Sequence, residues 1–146
     1  MKYQQEITIE LPIERVIELF DNAENLKEWQ EGLKSFEHVS GEPGKEGAKS
    51  KLVFDTGKRR LEMIETITKR NFPDEFHGTY ETKGVYNIQE NYFSKEGKNS
   101  TKWFSKSEFK FSGFMAFLAV FMKGAFKKQS YHFMESFKKF AEERST

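Results

Sequence analysis

Residues 3–11 alternate: Ile7, Ile9 and Leu11 point one way, and Glu6, Thr8 and Glu10 point the other. A period of two predicts a strand with one buried face. Pro12 then suits the first turn of a helix, where its missing N–H has no intrahelical partner to lose. Ile13, Val16, Ile17 and Phe20 follow at helical spacing. Asp21 and Asn22 break this short helix and can cap a second one carrying Leu26 and Trp29.

From residue 34 to residue 112 the pattern is strand and turn throughout. Strands are predicted over 35–40, 48–55, 60–70, 75–82, 85–95 and 101–112. Between them lie turn signals such as GEPGKEG, Asn71-Phe72-Pro73-Asp74 and Glu96-Gly97-Lys98-Asn99. Turns at intervals of about 8–12 residues with direct connections indicate an antiparallel meander. The last strand is the most legible. Trp103, Ser105, Ser107, Phe109 and Phe111 share one face, while Lys102, Lys106, Glu108 and Lys110 share the other. An inward face that is part aromatic and part small-polar fits a cavity wall better than a filled core.

After Gly113 comes FMAFLAVFM, then Lys123-Gly124, then a long helix. In that helix Phe126, Ser130, Phe133, Phe137 and Phe140 form a narrow stripe at helical spacing. Gly124 weakens helix continuity by about 1 kcal/mol relative to Ala, which predicts a bend or break there. The order is therefore strand, two short helices, six strands, long helix. An α+β fold satisfies it, with a curved seven-stranded antiparallel sheet gripping the C-terminal helix so that each layer buries its apolar face.

Composition narrows the function. The 146 residues predict one domain over 1–146. With 24 Lys+Arg against 23 Asp+Glu the near-neutral balance argues against nucleic acid as a partner, since such binding needs a basic stripe to displace counterions. The absence of Cys excludes disulfides and thiolate chemistry. The polar N-terminus predicts no secretory signal, and no apolar run reaches the ~18 residues of a membrane span. A cytoplasmic protein, monomeric or weakly dimeric, is expected. The sixteen Phe are concentrated late, ten of them from residue 104 onward, on elements that should form one wall.

The chain resembles the START/SRPBCC superfamily, the helix-grip proteins that include birch-pollen-allergen-like proteins and polyketide cyclases. The local text carries the likeness: LPIERVIELFDNAENLKEWQEGL after the first strand, GEPGKEGAKSKLVF, MIETITKRNFPDEFHGTYE, and NSTKWFSKSEFKFSGFM followed by KGAFKKQS. It extends over essentially the whole chain and is nearest to bacterial polyketide-cyclase and lipid-transport-like members. The resemblance implies a deep apolar cavity between sheet and C-terminal helix. The cargo it implies is a hydrophobic small molecule such as a lipid, sterol, polyketide or isoprenoid, and no cofactor is expected.

Candidate ligand contacts are Phe54, Met63, Tyr80, Asn87, Asn91, Trp103, Phe109, Phe121, Phe126 and Phe133. Asn87 and Asn91 share a strand face; they either offer polar contacts in an aromatic pocket or satisfy strand ends and turns. Catalytic motifs are missing: no GxSxG elbow, P-loop or HExxH occurs. The three His are scattered without ligand spacing, so no metal site is predicted.

If the chain is instead a cyclase- or dehydratase-like enzyme, Glu65 or Tyr80 with His77 are the candidate proton-transfer groups. Leu61, Met63, Glu65 and Ile67 share a face, so Glu65 would project inward among apolar groups. Both faces of that strand are mixed, however, and the pattern favours Glu62, Ile64 and Thr66 as the inner set, with Glu65 in water. For FMAFLAVFM the pattern favours burial beneath the two short helices. The alternative is transient contact with a membrane interface or gating of a cavity mouth. A third function, a protein-interaction module of the chaperone-activator type, would need an apolar patch on the sheet's outer face. That face shows Phe104 alone among Lys and Glu.

Overall fold

A computed structural model describes residues 1–144. In chain order it holds β1 (Lys2–Ile9), α1 (Ile13–Phe20), a 3₁₀ turn (Ala23–Asn25), α2 (Leu26–Trp29) and β2 (Leu33–Ser40). There follow β3 (Lys49–Asp55), β4 (Arg60–Asn71), β5 (Glu75–Thr82), β6 (Val85–Lys95), β7 (Thr101–Phe111), α3 (Phe114–Ala119) and α4 (Lys123–Arg144). The seven strands form one antiparallel sheet in the order β1-β7-β6-β5-β4-β3-β2. This is the helix-grip α+β arrangement that the patterning predicts, with the strands within two residues of their expected bounds.

Local chemistry explains the turns of the path. Asn22 caps the 3₁₀ turn by accepting the Glu24 N–H at 3.0 Å. Register shifts within β2 and within β4, between Ile67 and Lys69, interrupt the ladder, and such bulges bend a sheet. The concave face that results is covered by α4, which is tied to the edge strand β1 at both ends. Near its start, Tyr3 Oη donates to the Phe126 carbonyl at 3.2 Å and accepts the Ser130 hydroxyl at 2.5 Å. Near its end, Lys138 Nζ donates to the Thr8 carbonyl at 2.6 Å, and Glu142 accepts the Glu10 N–H at 2.8 Å.

The core gathers where α1, α2 and the second half of α4 meet β1, β6 and β7. Ile9, Val16, Trp29, Phe93, Trp103, Met134, Phe137 and Ala141 are its buried members. Phe137 is fully enclosed, with the rings of Phe20, Trp29 and Trp103 at centroid distances of 5.7, 5.1 and 5.6 Å. Edge-to-face packing of this kind suits the aromatic quadrupole.

Two expectations are corrected here. The segment after β7 is not core beneath the short helices: Phe114, Phe117, Val120 and Phe121 are 61–74% exposed. The apolar faces of α1 and α2 are already filled by α4 and the sheet, so no partner surface remains for this segment. Instead α3 lies across the end of the sheet after a left-handed turn at Gly113 (φ +59°). It packs so close to Gly84 that a Cβ there would sit 2.8 Å from Met115 Cγ. The helix break falls just ahead of Gly124, between Ala119 and Lys123, so Gly124 lies inside the first turn of α4.

Candidate functional site

The half of the sheet that the aromatic core leaves uncovered encloses a cavity of about 870 Å³, bounded by the concave face, α2 and the first half of α4. Period-two alternation supplies its wall: Ser50, Leu52 and Phe54 from β3; Leu61, Met63, Glu65 and Ile67 from β4; Phe76 and Tyr80 from β5; Asn87, Gln89 and Asn91 from β6; Trp103, Ser105 and Phe109 from β7. Phe126, Ser130, Phe133 and Met134 of α4 face them. His38, Pro43 and Gly44 line it beside the β2–β3 hairpin, and Thr56, Arg59, Lys83, Met115 and Met122 line it at the end of the sheet.

Most of the wall is apolar, but strand register draws its polar groups into a row. Ser50 pairs with Glu65, Glu65 with Tyr80, Tyr80 with Asn87, and Asn87 with Phe109. Neighbours directly opposite across a sheet stand within side-chain reach. Tyr80 Oη donates to Glu65 Oε2 at 2.7 Å. Glu65 therefore faces inward, overturning the reading that leaves it in water. The deciding fact is its pairing with β3 and β5, whose inward residues are unambiguous.

Burial raises the Glu65 carboxyl above the ordinary carboxylate range, and the Tyr80 hydroxyl offsets part of that rise. Tyr80 is pushed well above the usual phenol range, first by burial and then by the adjacent Glu65 charge, and so holds its proton. The pair is enclosed by protein yet reachable from the cavity. It can donate to or accept from a polar group placed there, and it can move a proton.

The second polar feature spans β6 and β7. Gln89 donates through Nε2 to Ser105 Oγ and accepts the Ser107 hydroxyl at 2.7 Å, so the two inward serines of β7 are satisfied within the sheet. Gln89 is not among the expected contacts; it shares a face with Asn87 and Asn91, and that shared face is the signal that points to it. Asn91 Oδ1 accepts Trp103 Nε1 at 2.9 Å, and Asn87 Nδ2 donates to the Glu108 carbonyl at 3.1 Å. Both amides thus brace the wall that they line.

Of the ten expected ligand contacts, Phe54, Met63, Tyr80, Asn87, Asn91, Trp103, Phe109, Phe126 and Phe133 lie in the cavity wall. Phe121 does not: it is 74% exposed on the outer side of the segment that follows α3. His77 also falls elsewhere. Phe76 and Tyr80 face inward, so His77 faces the convex side, where Nε2 meets Glu75 Oε2 at 2.9 Å and Nδ1 accepts the Asn91 N–H at 3.1 Å. It cannot act with Glu65 or Tyr80 inside the cavity. Among the described residues no group of three His, Cys, Asp or Glu could hold a metal ion. No helix among them is long and apolar enough to cross a membrane.

A curved antiparallel sheet gripping a C-terminal helix around an internal cavity defines a helix-grip protein of the START/SRPBCC superfamily. More narrowly, the chain belongs to the family described as polyketide cyclase / dehydrase and lipid transport, which it matches over residues 1–142. No curated protein matches it. Solved structures of the same fold include an aromatase/cyclase from Streptomyces sp. R1128, with a TM-score of 0.83, 12% identity, and coverage of 100% of this chain and 96% of that one. A protein from Thermus thermophilus gives a TM-score of 0.81 at 17% identity, with both chains fully covered. Norcoclaurine synthase from Thalictrum flavum, solved as a point mutant with a transition state analogue, gives 0.74 at 14% identity, covering 100% of this chain and 96% of that one. At such identities these likenesses speak to fold alone.

Proposed function

We propose that the protein binds a hydrophobic small molecule, of lipid, sterol, polyketide or isoprenoid type, in the cavity between sheet and α4. The observation that carries this reading is an apolar cavity of about 870 Å³ with the hydrogen-bonded pair Glu65 and Tyr80 set in its wall. The volume falls within the roughly 300–1,000 Å³ typical of small-molecule sites, and the apolar lining with a few placed polar groups is typical of them too. The ligand's apolar body lies against Phe54, Met63, Phe109, Phe126 and Phe133, gaining about 25 cal/mol for each Å² withdrawn from water. Its polar end meets the Glu65–Tyr80 pair, which orients it.

The test is capture from a total lipid extract followed by mass spectrometry of what the purified protein retains. A defined set of hydrophobic species should be recovered with the wild type. Met63→Trp, which places a larger side chain in the cavity, should lose them while remaining folded. Equal recovery by both proteins, or by neither, defeats the proposal.

One observation favours a second reading, a cyclase- or dehydratase-like enzyme. Glu65 and Tyr80 are two titratable groups converging in one enclosed pocket, 2.7 Å apart, as proton transfer to or from a substrate requires. On that reading the ligand captured by the wild type and by Glu65→Gln would differ in structure, substrate accumulating on the variant. Recovery of the same unchanged compound from both proteins favours the carrier.

A further inference from the structure

Four of the five large hydrophobic side chains exposed among the described residues lie together: Phe114, Phe117, Val120 and Phe121. Their rings make one surface, with centroids 6.2 Å apart for Phe114–Phe117 and 5.5 Å apart for Phe117–Phe121. A contiguous exposed aromatic patch on a monomer marks an interaction site. The reverse side of the same segment supplies Met115 and Met122 to the cavity wall. The patch and the ligand cavity are therefore the two faces of one short element.

The surroundings of the patch carry charge of one dominant sign. Lys83 in the β5–β6 turn, Lys110 near the end of β7, Lys127 and Lys128 in the first turns of α4, and Lys58 and Arg59 in the β3–β4 loop are exposed at this end of the sheet. None forms an ion pair among the described residues. The acidic groups at this end are fewer: Glu62 is held by Lys51 and Arg60 at 3.4 and 3.5 Å, Glu108 by Lys2 at 4.0 Å, Asp55 accepts the Gly57 N–H at 2.8 Å, and Glu81 of β5 is exposed.

We infer that α3 and the residues after it form a docking surface for an anionic lipid bilayer, with the four apolar side chains entering the interface and the surrounding lysines meeting the headgroups. An aromatic surface ringed by unpaired cations is complementary to such a bilayer on both counts. A symmetric pairing of two copies would bring the same lysines against one another, which opposes it. The helix is too short to span a bilayer and lies in its plane. Docked there, the element that supplies Met115 and Met122 to the cavity wall lies against the lipid phase, which gives a hydrophobic molecule a short route between bilayer and cavity. This goes beyond the ligand-binding proposal and does not depend on the identity of the ligand.

Co-sedimentation with vesicles tests it, using phosphatidylcholine alone and phosphatidylcholine mixed with phosphatidylglycerol. The wild type should partition onto the anionic vesicles, less onto the neutral ones, and should be released by salt. Phe117→Ser/Phe121→Ser should weaken that partition about a hundredfold, each ring contributing about tenfold. Lys127→Glu/Lys128→Glu should weaken it on anionic vesicles only. Neither pair lines the cavity, so the near-ultraviolet circular dichroism and the displaceable uptake of an uncharged probe, N-phenyl-1-naphthylamine, without vesicles should be unchanged, which checks both folding and the cavity. Failure of the probe to bind would count against the ligand-binding proposal, whereas failure of the vesicle assay counts against docking. The inference is overturned if the wild type ignores anionic vesicles, if the serine variant binds them equally, or if the patch instead drives dimerisation that the same serines abolish.

Discussion

Replacing Glu65 by Gln removes one charge from the cavity wall and keeps its shape, with an acceptor still available to the Tyr80 hydroxyl. In the native state burial raises the Glu65 pKa above 4.5, partly opposed by the hydrogen bond from Tyr80. In the unfolded chain the group returns to its ordinary value. The native state thus binds this proton more tightly than the unfolded state does. The stability it contributes is fully present below the unfolded pKa and is lost as pH rises through the raised folded pKa. Between those two values the loss approaches about 1.4 kcal/mol per pH unit, the limit for a single proton.

Urea unfolding of wild type and Glu65→Gln at steps from about pH 4 to pH 8 isolates this effect, because the other titrating groups cancel in the difference. The variant should gain on the wild type as pH rises, then reach a plateau. Tyr80→Phe removes the hydrogen bond that opposes the rise, so it should extend the sloping region to higher pH. Tyr80 itself keeps its proton throughout this range and adds no slope. A difference between wild type and Glu65→Gln that stays flat across the whole range would refute the burial of this carboxyl in the cavity wall.

Phe137→Ala empties the centre of the aromatic core and should cost about 3–5 kcal/mol in urea unfolding, since the surrounding rings cannot collapse into the gap. A loss under about 1 kcal/mol would show that the ring is not enclosed as described. Arg70 and Asp21 form a two-pronged ion pair at 2.7 and 2.6 Å that joins β4 to the end of α1. Both side chains are about one-third exposed, at 29% and 35%, so Asp21→Asn should cost about 1 kcal/mol or less. That cost should shrink at high salt, and a salt-independent loss would contradict an electrostatic origin.

The legible parts of the fold are those with unmixed alternation or strong punctuation. In β7 charged residues alternate with aromatic and small ones, and in β1 isoleucines alternate with polar residues, so the two faces of each are plain from the pattern. Pro12 and the glycine-bearing turns mark the boundaries of elements that form as expected. In β4 alternation is ambiguous: Leu61, Met63 and Ile67 lie on one side and Ile64 on the other. The pattern there favours an outward Glu65, yet the side chain lies inward, because β3 and β5 impose their register on it. His77 shows the same dependence in reverse. One step along a strand from an inward aromatic, it lands on the convex face. Phe121 belongs to a segment apolar enough to read as core, but whether it is covered depends on surface left free by other elements.

By itself the amino-acid sequence determined the kinds of element, their order, the grip of sheet on helix and the aromatic character of one wall. These follow from periodicity, turn chemistry and composition, which act between residues close in the chain. Tertiary structure alone decided that Ser50, Glu65, Tyr80 and Asn87 stand in one row, that a cavity of about 870 Å³ separates them from α4, and that α3 turns its phenylalanines outward. Each of those outcomes depends on the register between strands far apart in sequence and on how completely one layer covers another. Where both faces of a strand are mixed, as in β4, the local pattern does not settle either quantity.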